Sequence, residues 1–118
     1  MPRGTIEREV VLPAPPDAVW DALTDGEQLS AWFGAEVHIE ARPNGFAEFR
    51  WADGEVRTAV VESLVPRREL ILRWTPLRRV GGRTTVDRRS ERVAFALQPA
   101  PGGTRLRVVE SGVRELAG

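Results

Sequence analysis

The sequence predicts an α+β fold: a largely antiparallel sheet of seven strands, with two short helices inserted after the first strand. Three observations carry that expectation. Apolar residues recur with a period of two in seven short segments. A helical period appears only between the proline cluster at Pro13, Pro15 and Pro16 and the stop at Gly34. Most of the segments are separated by short turns of Pro, Asn, Asp and Gly, which join antiparallel neighbours and are too short for parallel crossovers.

Each element has a local cause. Thr5 to Leu12 alternates loosely and reads as the first strand; Pro13, Pro15 and Pro16 end it, because proline cannot donate to a ladder. Proline is tolerated in a first helical turn, Asp17 sits at the positive end of the dipole, and Val19, Ala22 and Leu23 recur at helical spacing. Thr24-Asp25-Gly26 breaks that helix. Glu27 to Phe33 reads as a second one carrying Leu29, Trp32 and Phe33, with Gly34 as its stop. Beyond Gly34, Val37, Ile39 and Ala41 alternate with Glu36, His38 and Glu40, and Pro43-Asn44-Gly45 makes a turn. Ala47, Phe49 and Trp51 alternate next, before the turn Ala52-Asp53-Gly54. Val56 to Val65 is a longer strand ended by Pro66; Leu70, Leu72 and Trp74 mark the fifth strand, and Val93, Phe95 and Leu97 the sixth. The hairpin turn Pro99-Ala100-Pro101-Gly102-Gly103 leads into the last strand, where Leu106, Val108 and Glu110 share one face.

Composition narrows the function. A chain of 118 residues has room for one domain, residues 1–118. Seventeen basic and seventeen acidic residues cancel, so no whole-molecule field favours nucleic acid or anionic lipid. All the basic residues are Arg. Without Lys there is no Schiff-base enzyme, and without Cys there is no thiol nucleophile, thiolate metal site or disulfide framework. The start Met1-Pro2-Arg3-Gly4-Thr5 lacks a signal-peptide apolar run and no stretch reaches membrane-spanning length, so a cytoplasmic location without membrane insertion is expected. Gly102-Gly103 has no helix behind it, and no phosphate-binding or dinucleotide fingerprint occurs; no cofactor is implied.

The segment Ala14-Pro15-Pro16-Asp17-Ala18-Val19-Trp20-Asp21-Ala22-Leu23-Thr24, followed by Trp32-Phe33, resembles the A-P-x-x-V-W-x-A-L-T and W-F pattern of one protein family, with one extra residue before Val19. Trp51-Ala52-Asp53-Gly54, Pro66-Arg67-Arg68-Glu69-Leu70 and Gly103-Thr104-Arg105-Leu106, leading into Glu110-Ser111-Gly112, extend the likeness along nearly the whole chain. The family is the branch of the START-like (SRPBCC, Bet v-like) superfamily that holds homologues of the activator of the heat-shock protein 90 ATPase. The resemblance implies a helix-grip fold, with a curved sheet closed around a cavity. It is weak for activity, because the superfamily spans lipid carriers, hormone receptors, polyketide cyclases and chaperone regulators. It also implies a long C-terminal helix across the concave sheet, yet only eight residues follow Glu110, so that helix is expected to be absent or vestigial. The face bearing Phe49, Trp51, Leu72, Trp74, Phe95 and Val108 would then stand open. Covering one large apolar side chain is worth roughly 1.5–3 kcal/mol, so about five would forfeit on the order of 10 kcal/mol. A second copy of the chain, another protein, an inward fold of residues 75–89 or a helix lost by truncation could cover that face; self-association through it is the expectation, against a shortened or locally rearranged monomer.

The layout makes Trp32, Phe33, Phe49, Trp51, Leu72, Trp74, Phe95, Val108 and Glu110 the candidate ligand-binding residues, with Trp20 in the core. Glu110, in phase with Leu106 and Val108, should point inward; it is the one candidate catalytic acid or base, with a pKa expected to be raised by apolar neighbours. The alternative for it is a structural acid paired with an arginine. His38 lies between Glu36 and Glu40 in phase, a set more consistent with a solvated strand face than with a metal site. Thr75 to Arg92 holds six arginines against Asp87 and Glu91, and Gly81-Gly82 could close an extended hairpin flanked by Val80 and Val86. That segment reads as a solvated hairpin or as a contact for an acidic partner; no aromatic interleaves its arginines, which disfavours nucleic acid. Three functions follow: noncatalytic binding of a small hydrophobic or aromatic molecule between sheet and helices, a polyketide cyclase-like enzyme using Glu110, or a protein-interaction module of the chaperone-regulator kind.

Overall fold

Two helices carry the chain from one edge of a sheet to the other. The structure, a computed structural model, describes residues 4–86 and 91–112; the side chains of Thr5, Trp32, Phe33, Arg78 and Glu91 lie outside that description. In chain order the elements are β1 (Gly4–Leu12), α1 (Pro16–Leu23), α2 (Gly26–Phe33), β2 (Glu36–Ile39), β3 (Phe46–Arg50), β4 (Val56–Val65), β5 (Glu69–Val80), β6 (Arg83–Val86), β7 (Glu91–Ala100) and β8 (Gly103–Gly112). The strands are ordered β1-β8-β7-β5-β4-β3-β2, with β6 on β5. Every pairing is antiparallel. β1 and β2, separated in sequence only by the helices, therefore stand at opposite edges.

The crossing is held by short-range chemistry. Pro15 is extended and its carbonyl accepts from Ala18 and Val19, so Pro16, which has no N–H to lose, opens α1. The Thr24 hydroxyl donates to the Trp20 carbonyl at 2.9 Å and closes it. Asp25 then caps α2 by accepting from the Glu27 amide at 2.9 Å. Ser30 ties α2 to β2: its hydroxyl donates to the Gly26 carbonyl at 2.7 Å and accepts from the Val37 amide at 2.9 Å. Gly26 is required by that approach, since a Cβ there would collide with the carbonyl oxygen of Val37. At the far edge, the buried Thr104 donates to the Ala14 carbonyl at 2.7 Å and fixes the exit from β1 to β8.

Among the described residues the sheet has eight strands, one more than the sequence predicts. The addition is β6, and its cause is the Gly81-Gly82 pair. Both glycines have positive φ (58° and 78°), as a two-residue type I′ turn demands, so β5 runs on to Val80 and returns as β6.

Alternation within the ladder creates an inner face. Ala47 and Phe49 of β3, Ala59 and Val61 of β4, Leu70 and Leu72 of β5, Val93, Phe95 and Leu97 of β7, and Leu106 and Val108 of β8 are all buried on it. Val19 and Leu23 of α1 and Leu29 of α2 belong to the same core. α1 packs on β7 and β8, and α2 on β2. Most of the face expected to stand open is covered: Phe49, Leu72 and Phe95 have no exposed surface and Val108 has 7%, while Trp51 and Trp74 remain partly exposed. Two register shifts between β4 and β5, at Arg57/Ala59 and Val61/Ser63, bend the sheet, and the helices close one end of the curve. Exposure remains at the β1 edge, where Ile6 and Val10 are about half exposed (52% and 44%), and at the half-buried Trp51 and Trp74. Residues 113–118, read as too short to cross the sheet, lie outside the described residues.

Gly26→Ala should lower unfolding free energy by about 1–3 kcal/mol in urea denaturation, the usual range for forcing atoms into a packed contact. Unchanged stability would mean that α2 does not approach β2 this closely.

Candidate functional site

Three aromatic rings meet where β3 and β5 flank β4. Phe49 stacks on Trp51 with centroids 6.1 Å apart and meets Trp74 edge-on at 4.7 Å. Phe49 is fully buried, whereas Trp51 and Trp74 are half-buried and reach the rim of the core. Arg57 of β4 completes the group. It is directly opposite Phe49 in the ladder, and its guanidinium lies 4.7 Å from the Trp74 ring centroid. Only 9% of Arg57 is exposed. A cation held over an indole face is favoured by the ring quadrupole, more so away from water.

The predicted residues divide into two sets. Phe49, Leu72, Phe95 and Val108 are core; Trp51, Trp74 and Glu110 are half-buried at its margin. Trp32 and Phe33 lie outside the described side chains, and Trp20 is half-buried against the core. Glu110 occupies the inner face between Val93 of β7 and Ile6 of β1. Its carboxylate makes no ion pair or hydrogen bond with a described residue, so the alternative of a structural acid paired with an arginine is not what the described contacts show. Arg8, diagonal to it across β1 and β8, shares that face. Arg57 was missed in the sequence, although its phase with Ala59 and Val61 was available as a signal.

The remaining candidates point outward. His38 is exposed and only 3.9 Å from Glu36, while Glu40 turns away to accept from Arg42 and from the Phe46 amide, both at 3.1 Å. Among the described residues no three His, Asp or Glu side chains converge as a metal site. Of the arginine-rich segment, Arg92 donates from Nε to Glu62 at 2.8 Å, and Arg73 lies 3.5 Å from the same carboxylate. The hydrogen bond from Arg92 holds the Glu62 carboxyl below its ordinary range, and the same bond holds Arg92 above its own. Asp87, Arg88 and Arg89 lie outside the described residues.

Two surface grooves accompany the fold. One, about 930 Å³, runs between the start of α1 and the β4–β5 turn, beside Pro15, Asp17, Pro66, Arg67 and Pro99. Arg67 there has φ 64°, a left-handed conformation, and pairs with Asp17 at 3.4 Å. The other, about 580 Å³ and mostly apolar, lies between the end of β1 and both helices, lined by Leu12, Ala18, Ala22, Leu29 and Ala31 among others.

A bent antiparallel sheet with two helices gripping one end of an apolar, aromatic inner face defines a helix-grip domain of the START-like class. The family model described as "Activator of Hsp90 ATPase homolog 1-like protein" matches residues 13–117, and the chain belongs to that family. A search of curated protein sequences gives no match. Among solved structures, the chain is similar to protein MLL2253 from Mesorhizobium loti, with 25% identity and a TM-score of 0.78, over 94% of this chain and 78% of that one. DynU16, a putative protein in the dynemicin biosynthetic locus, has 24% identity and a TM-score of 0.74, over 98% of this chain and 40% of that one. CalU16 from Micromonospora echinospora has 21% identity and a TM-score of 0.65, over 97% and 71%. The last two establish likeness of fold. Among the described residues no helix is long and apolar enough to cross a membrane.

A group whose folded pKa is depressed adds stability above its unfolded pKa and loses it as pH falls through the folded one. Glu62 is such a group. Glu62→Gln should therefore flatten the fall in thermal stability as pH drops below the ordinary carboxylate range. Parallel curves for the two proteins would contradict the assignment.

Proposed function

We propose that this domain binds a small hydrophobic or aromatic molecule at the inner face, without catalysis. The observation that supports the reading is the pair of half-buried indoles, Trp51 and Trp74, packed on Phe49 with the Arg57 cation over Trp74. Partly covered aromatic rings beside one fixed charge suit a ligand with an apolar body and a polar end. Stacking on the rings supplies affinity, and Arg57 or Glu110 orients the polar end.

A cyclase-like reading with Glu110 as acid or base rests on a carboxylate at the same face that has no ion pair or hydrogen bond with a described residue. It is the weaker of the two. Among the described ionisable groups in phase with Glu110 on that face are Arg8 and Arg57, whose guanidiniums do not exchange protons near neutral pH. The one histidine, His38, is exposed on the outer side of β2.

Titration with an anilinonaphthalene sulfonate dye tests the binding reading through tryptophan quenching and dye emission. Saturable binding near one dye per chain is expected, weakened about tenfold by Trp74→Ala, as for losing roughly 1.4 kcal/mol of contact. Absence of saturable binding, or an affinity unchanged from the wild type in both Trp74→Ala and Trp51→Ala, would reject it.

A further inference from the structure

The charges of this chain cancel in sum but not in place. From Thr75 to Val86 the hairpin of β5 and β6 carries Arg78, Arg79 and Arg83 and no acid. From Pro16 to Phe33 the two helices carry Asp17, Asp21, Asp25 and Glu27 and no base. Both regions are also apolar where they meet solvent. On the hairpin, Leu77 and Val86 face each other across the strands at 52% and 61% exposure, and Val80 near the tip is 45% exposed. Between the helices lies the apolar groove of about 580 Å³.

The hairpin is built, not slack. Its type I′ glycine pair matches the strand twist, and β6 packs on β5 alone among the described strands. A two-stranded ribbon that leaves three apolar side chains in water has little reason for its own order. Arg79 and Arg83 make no ion pair with a described residue, whereas Arg50, Arg73, Arg92, Arg105 and Arg107 of the same sheet each stand beside a carboxylate. Within one chain the hairpin and the groove do not meet: the helices pack on β2, β7, β8 and each other.

We propose that the β5–β6 hairpin of one copy docks in the α1–α2 groove of a second copy, with Leu77 and Val86 entering the groove, Arg79 on the same face of the ribbon meeting the acidic helices, and Arg83 beside the turn reaching their rim. Apolar fit and opposite charge coincide in this pairing. Reciprocal insertion about a two-fold axis satisfies both copies and closes the assembly. The arginines fix partner and register, and the apolar pair supplies the contact.

Sedimentation velocity of the full chain at low salt, over a range of protein concentrations, should show a monomer–dimer equilibrium that weakens when NaCl rises to about 0.5 M. Arg79→Glu with Arg83→Glu should raise the dissociation constant at least about tenfold, as should Leu77→Ser. The decisive arm mixes two variants. Arg79→Glu/Arg83→Glu and Asp21→Arg/Glu27→Arg should each be monomeric alone and dimeric together, since each mixed contact again joins opposite charges. Circular dichroism of both variants checks that they fold. A wild-type monomer at about 1 mM in low salt, a dimer indifferent to the hairpin substitutions, or a mixture that stays monomeric would overturn the proposal. Binding of the hairpin to anionic vesicles by a chain that remains monomeric would overturn it as well.

Discussion

Burial of one face of the sheet is the constraint on which the rest of this structure depends. Side chains alternate along a strand, so a slip of one residue would turn Phe95 or Leu72 to water and bring Arg92 or Arg73 inside. Each strand from β3 to β8, apart from the exposed β6, has only one register that keeps its apolar set buried. The bulges in β4 obey the same rule. After Glu62 interrupts the alternation, Leu64 rather than Ser63 returns to the inner side opposite Leu70, and the bend moves the end of the strand towards the helices. Packing, register and curvature are here one problem with one solution.

The outer face shows how a sheet rich in arginine is neutralised locally. Arg107 meets Glu7 at 3.0 Å and Arg105 meets Glu9 at 3.7 Å, pinning β8 to the edge strand β1 with alternating signs. Exposed pairs of this kind add little stability, about 0–1 kcal/mol each, but like charges in their place would repel across the ladder. The basic hairpin and the acidic helices stand apart from this local neutralisation. Arg79 and Arg83 of the hairpin make no ion pair with a described residue, and on the helices only Asp17 does, with Arg67 at 3.4 Å.

The inner face has to serve as core and as binding surface. Leu70, Leu72, Val93 and Phe95 are given wholly to the core, and no ligand reaches them without displacing protein contacts. Toward the end distant from α1, the rows finish in larger, half-covered rings, with Arg57 among them. Burying a charged group beside aromatic rings costs solvation that an aliphatic side chain would not lose. Its presence at the margin, rather than in the middle of the sheet, keeps that cost moderate and leaves a charged group where the core opens.

Local sequence determined a great deal. Prolines that cannot donate ended β1 and opened α1, Asp25 and Gly34 bounded α2, and strict alternation marked the strands and placed Phe49, Leu72, Phe95 and Glu110 on one side. Even the eighth strand was foreshadowed, because Gly81-Gly82 between Val80 and Arg83 suits a two-residue type I′ turn. These features depend on neighbours within a few residues, so they can be read from the chain alone. Tertiary structure decided what depends on distance in space. Whether the inner face was open could not be read from alternation, because closure comes from the bend of the sheet and from helices that arrive from β1 and leave toward β2. Arg57 showed its place only when β3, β4 and β5 lay side by side and put its guanidinium on Trp74. A period says which way a side chain points; only the assembled neighbours determine what it meets there.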